Sequence, residues 1–210
     1  MTLPEIRLTL PTWIEKFLSE ADATYPSDED KMAFVIALSR RNIDEETGGP
    51  FSAAVFDQTT HRLVAPGVNV VVGSQCSAAH AEIVALGMAQ QVLGTHDLGA
   101  PGLSPHVLVS STEPCAMCLG AIPWSGIRRL VCGATGEDAE SIGMDEGAKP
   151  PAWPETLQAR GIEVTLSVRR EEAAQVLRDY AASGALIYNG RLGGEDENSE
   201  GPPPTVSDRK

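Results

Sequence analysis

"HVLVSSTEPCAMCLGAIPWSGIRRLVCGA", residues 106–134, decides the fold. Its opening "HVLVSS" is a short apolar run bounded by prolines and polar residues, which reads as a buried strand. Cys115 to Trp124 reads as a helix, with Pro114 suited to the helix entrance. "RRLVCGA", ending at Ala134, reads as the next strand. Strand, helix, strand is the alternation of an α/β sheet.

The rest of the chain extends that unit in both directions. Ala79 to Leu93, "AHAEIVALGMAQQVL", has helical spacing. "FSAAVFD" (Phe51–Asp57) and "RLVAPGVNVVV" (Arg62–Val72) predict a hairpin across the polar turn Gln58–His61. Ser27 with Asp30 three residues on is a capping-box variant. It opens a helix through about Asn42, with Met32, Val35, Ile36 and Ile43 on one face and Gly48-Gly49-Pro50 at its end. Downstream, Gly133 to Pro154 is acidic and loop-rich, "IEVTLSV" (Ile162–Val168) alternates as a fifth strand, and Glu171 to Ser183 is a helix stopped by Gly184. Together these predict a three-layer α/β/α sandwich around a central five-stranded mixed sheet. The expected organisation is an N-terminal extension over 1–26, one domain over 27–192, and a disordered tail over 193–210, rich in Gly, Pro and acids.

Composition limits what this domain binds. Net charge is −13, of which Glu195–Lys210 contribute −3, leaving −10 on the rest. So acidic a body repels a phosphate backbone, and its paired arginines, Arg40–Arg41, Arg128–Arg129 and Arg169–Arg170, are only isolated pairs. A small uncharged partner is expected, and nucleic acid is not. The first residues lack the basic-then-apolar pattern of a signal peptide, and no apolar run approaches the ~20 residues that span a bilayer. The expectation is a cytoplasmic protein without a membrane partner.

Four cysteines, Cys76, Cys115, Cys118 and Cys132, are too few and too uneven for a disulfide framework. Cys115 and Cys118, three apart at a helix start, lie on one face and can reach one metal. A helix N-terminus favours anions, which helps hold both as thiolates. In "AHAEI" (Ala79–Ile83), His80 and Glu82 also stand at a helix start after a loop. One imidazole and two thiolates make a three-ligand zinc set whose fourth position is open to water. The metal acidifies that water, and Glu82 can take up the proton and deliver it to a leaving group. Three other readings use the same cysteines: a thioredoxin-like dithiol, a structural zinc site completed by Cys76 and Cys132, and core thiols without metal. The first leaves His80 and Glu82 without a role, and the second draws on two cysteines that lack CxxC partners of their own.

The pattern H-x-E…P-C-x-x-C is that of the zinc deaminases. From about Phe34 to Arg191 the chain resembles the cytidine deaminase-like superfamily, and within it the bacterial guanine deaminases. The resemblance rests on "GGPFSAAV", "GVN", "AAHAEIVAL", "EPCAMCLGAIPWSGI", "IGMDEG" and "LIYNGR". It implies one zinc per chain on His80, Cys115 and Cys118, with Glu82 as proton shuttle. It further implies Asn69 as hydrogen-bond partner of the base, Phe51 and Trp124 as aromatic walls, and Ala81 as a further substrate contact. Glu146 would be a second catalytic acid, with neighbouring Asp145 as alternative, and Tyr188 part of a C-terminal lid. The implied reaction is guanine plus water to xanthine plus ammonia, in a domain-swapped homodimer. Relatives often carry a proline-threonine pair where this chain reads "CSAAHAE", and the ligands are untouched by that departure. Rival readings are deamination of guanosine, cytosine or cytidine, a triazine such as ammeline, or tRNA adenosine, and a zinc-stabilised binding module without activity.

Overall fold

A computed structural model describes residues 4–190. The expected tail, 193–210, lies outside the described residues. Five strands form one sheet in the order β2-β1-β3-β4-β5: β1 Ser52–Asp57, β2 Leu63–Val68, β3 His106–Thr112, β4 Arg129–Ala134 and β5 Glu163–Thr165. β1 runs antiparallel to both its neighbours, while β3, β4 and β5 are parallel, so the sheet is mixed as expected. Alternate side chains enter opposite faces, as a pleated strand requires. Ala53, Val55, Leu108, Leu130 and Cys132 enter one core, and Ala54, Phe56, Val107, Val109 and Val131 the other.

Helices cover both faces. On the first lie α4 (Ala81–Leu93), α5 (Ala116–Trp124) and α7 (Trp153–Gln158). On the second lies α2 (Asp28–Asp44), beside α8 (Arg170–Ala182). α2 starts where its sequence says: Ser27 accepts from Asp30 N–H, and Asp30 returns the bond to Ser27 N–H at 3.1 Å. α8 ends at Gly184, whose φ of +71° suits glycine. α4 sits tightly on β2 because Gly67 has no side chain: a Cβ there would stand 2.3 Å from Ala81 O and 2.4 Å from Ala85 N.

Several expectations are corrected. The second hairpin strand stops at Val68 rather than Val72, because Asn69 Oδ1 accepts from Val71 N–H (3.3 Å) and turns the chain into the short helix α3, Val71–Ser74. The acidic stretch after β4 holds α6 (Gly136–Glu140), opened by a Thr135–Asp138 capping box, and α7, begun with a proline. The fifth strand keeps only three residues. The N-terminal region contributes α1 (Trp13–Ser19), whose Ile14 is buried in the α2-side core. Its Trp13 Nε1 donates to Thr47 (2.9 Å), Thr47 to Asn42 Oδ1 (2.7 Å), and Asn42 Nδ2 to the carbonyls of Gly49 (2.9 Å) and Asn69 (3.1 Å).

Candidate active site

The topology brings the chemically interesting segments to one edge of the sheet. Register pairs Ser52 with Val68, Ala53 with Ser110 and Thr112 with Ala134. The start of antiparallel β1 therefore lies beside the carboxyl ends of β2, β3 and β4, the usual ligand edge of an α/β sheet. Phe51 precedes β1, Asn69 follows β2, and Glu113 to Cys115 follow β3. α4 and α5 begin at the same edge, with His80 and Cys115 as their N-caps.

There the donor atoms of His80, Cys115 and Cys118 lie within 4.8 Å of one another, the only such group of three found among the described residues. Cys115 Sγ is 3.5 Å from His80 Nδ1. Zinc bonded tetrahedrally to sulfur and nitrogen at ordinary lengths holds them roughly 3.5 Å apart, so the donor set fits zinc. A hydrogen bond from Cys118 holds the Cys115 thiol down at about 4, with His80 assisting, while that shared proton and burial push Cys118 up. Burial lowers His80, yet the bond and charge of Cys115 outweigh it and raise the imidazole. Glu82 is 6% exposed, and its Oε2 lies 3.3 Å from Cys118 Sγ. Burial raises its carboxyl, and the Cys115 charge adds to this.

These groups form one end of a cavity of about 100 Å³. Phe51 and Met144 supply apolar wall; Asn69, Glu113 and Glu146 supply polar wall. The C-terminal segment closes it with Tyr188, Asn189 and Gly190. Asn69 Nδ2 donates to the Tyr188 hydroxyl (2.7 Å). Asn189 clasps the facing loop twice, accepting from Asp145 N–H and donating to Gly143 O, both at 2.8 Å. In the single chain the segment thus lies over its own pocket.

Most expected residues meet here. Glu146 and Asp145 diverge: Glu146 is 6% exposed, and burial pushes its carboxyl up to about 7 against the lowering influence of Lys149. Asp145 is exposed at the rim, where Oδ1 accepts from Gly147 N–H (2.8 Å). Two other expected residues stand differently in the single chain. Trp124, at the far end of α5 from Cys115, is 87% exposed and lines no part of the cavity. Ala81, the first residue of α4, is fully buried in the α4-side core. Of the other cysteines, Cys132 is buried in β4 and Cys76 is half-buried. Glu113 and Asn189 also line the cavity, and both stand inside the stretches "EPCAMC" and "LIYNGR", which carry the resemblance without singling them out.

Residues 26–134 match the family described as the cytidine and deoxycytidylate deaminase zinc-binding region. The chain belongs to this deaminase family. Zinc is its cofactor, and the His80–Cys115–Cys118 cluster is where this deaminase offers a zinc site. Among solved structures it is similar to the guanine deaminase of Nitrosomonas europaea, 45% identical over 87% of this chain and 99% of that one, with a TM-score of 0.81. It is also similar to a variant solved with 8-azaguanine bound, 47% identical over 85% and 98% of the two chains, TM-score 0.80. A curated guanine deaminase from Bacillus subtilis is 34% identical over 53% of this chain and 67% of that protein.

Proposed function

We propose that this deaminase hydrolyses guanine to xanthine and ammonia. The observation that carries the reading is a zinc-fitting cluster touching a buried Glu82 in a small cavity, in a chain 45% identical to a guanine deaminase over 87% of its length. Water adds to the ring carbon that bears the amino group, and the C–N bond breaks as the new C–O bond remains. Bound zinc supplies the acidity of that water. Glu82 moves its proton to the departing amine, a task suited to a carboxyl raised by burial. Asn69 gives up its bond to Tyr188 and turns its amide to the base, Phe51 takes the ring face, and Glu146 meets the amine side. Excluding bulk water under the C-terminal lid strengthens each of these interactions.

The assembly belongs to the same proposal. α5 has no charged residue and exposes Met117, Gly120 and Trp124, an apolar stripe suited to a second copy. The lid follows Gly184 and is the piece two chains would exchange. We infer a cytoplasmic location because the site needs reduced thiols. Among the described residues no helix is long and apolar enough to cross a membrane. The test is ammonia release across guanine, guanosine, cytosine, cytidine, adenine and ammeline. Guanine should be turned over with the highest kcat/KM, and preference for another base would move the substrate while keeping the chemistry.

A further inference from the structure

Lys149 lies in "EGAKPPAW", outside every recognised motif. Its Nζ is 3.1 Å from Glu146 Oε2, and the two side chains are only 13% and 6% exposed. Room for the ammonium comes from Gly136, where a Cβ would stand 2.8 Å from Lys149 Nζ and 3.4 Å from Glu113 Oε2. The Gly136 N–H in turn holds Glu113 Oε2 at 3.1 Å. Lys149 itself does not line the cavity and reaches it only through Glu146. It lines a second depression of about 240 Å³, open to solvent and shared with Glu113, Glu137 and Trp153.

A buried carboxylate with one fixed cationic partner is held in one orientation, and removing that partner leaves its charge uncompensated. Glu146 has no other ion-pair partner among the described residues. We propose that Lys149 is a positioning residue for the deamination, holding the Glu146 carboxylate turned into the cavity so that it meets the amino group of the base. The inference rests on the guanine deaminase reading and adds a residue to it. Lys149 acts through Glu146 and touches no substrate, so its removal affects kcat and leaves binding of the base nearly intact. Because the ammonium borders the outer depression, a small soluble amine can take its place from solvent.

The experiment is a double-mutant cycle on the zinc-loaded enzyme, with guanine as substrate and wild type measured alongside. Lys149→Met should retain zinc, lower kcat at least ~10-fold and leave KM within about twofold, since removing an oriented catalytic partner costs turnover rather than affinity. In a Glu146→Gln background the same change should cost little further. Lys149→Arg should retain most of kcat, and added methylammonium or ethylammonium should restore part of the Lys149→Met loss. Undiminished kcat in Lys149→Met, a loss confined to KM, or an equal additional loss in the Glu146→Gln background would each overturn the inference. If Lys149→Met does not fold, Lys149→Gln carries the same cycle. Wild type inactive on guanine but active on another base refutes the guanine reading alone, and the cycle is then run on that base. Wild type inactive on the whole panel overturns both.

Discussion

At the scale of single residues, the division of labour is between groups that hold the metal and groups that move protons. Cys115→Ala removes one of three donors and should abolish stoichiometric zinc, read by elemental analysis, with the fold retained by circular dichroism. Glu82→Gln keeps shape and hydrogen bonding but cannot titrate. It should keep zinc and lose at least ~100-fold in turnover, the ordinary scale of general acid–base catalysis. Near-normal turnover would move the shuttle elsewhere. Glu146→Ala should cost more activity than Asp145→Ala, because one is buried in the cavity wall and the other is tied into a rim turn. A reversed order in initial rates would transfer the role to Asp145. His80, Glu82 and the two cysteines were legible because their chemistry is written at fixed spacing on helix starts. Lys149 was not, since nothing in a sequence says that a loop returns an ammonium to within 3.1 Å of Glu146. Trp124 is the converse case: in the single chain, nine helical residues carry its ring away from the Cys115 end.

At the scale of elements, the site is only as well placed as the contact between α4 and the sheet. Gly67→Ala would drive a methyl into the backbone of α4, which cannot give way as a side chain tip can. Overpacking of this kind costs ~1–3 kcal/mol and should lower Tm by at least about 3 °C. It should also depress kcat, because the displaced helix start carries His80 and Glu82. Unchanged melting would mean that α4 has slack against β2. Between α6 and α8, the Arg170 guanidinium holds the Asp138 carboxyl down at about 2, with the Thr135 N–H and hydroxyl helping. Because the folded carboxyl titrates below its ordinary range, this contribution is whole above about pH 4 and fades as pH falls towards about 2. Asp138→Ala should therefore be less stable than wild type by ~1 kcal/mol near neutrality, and the two should converge in acid. Parallel melts at pH 7 and pH 2.5 would show this, and a gap that persists in acid would assign the effect to packing. The long elements, α2, α4 and α8, were legible from periodicity and caps. α6 and α7 were not, being five and six residues long in a stretch whose acids and prolines resemble loop. The early end of β2 depends on one side chain, Asn69, bonding its own backbone two residues on.

At the scale of the whole molecule, the proposed exchange of lids between two chains is open to test. Ending the chain after Arg191 should leave activity unchanged, while ending it before Leu186 removes Tyr188 and Asn189 and should cripple turnover with zinc retained. Refolding Glu82→Gln chains together with lid-less chains tests the exchange. If lids cross between chains, one site in the mixed dimer has an intact Glu82 and a borrowed lid, and ammonia release reappears. A mixture as inactive as its parents means that each lid serves its own chain, as in the single chain described here. The sheet itself limits which assemblies are available. Its two outer strands are β2, interrupted by Pro66, which has no N–H to offer, and β5, only three residues long. Neither presents the long, flat ladder of free amides and carbonyls on which strands of separate molecules stack into continuous sheets and fibrils. Among the described residues the sheet edges are thereby poor templates for edge-to-edge aggregation, which favours contacts between copies through other surfaces.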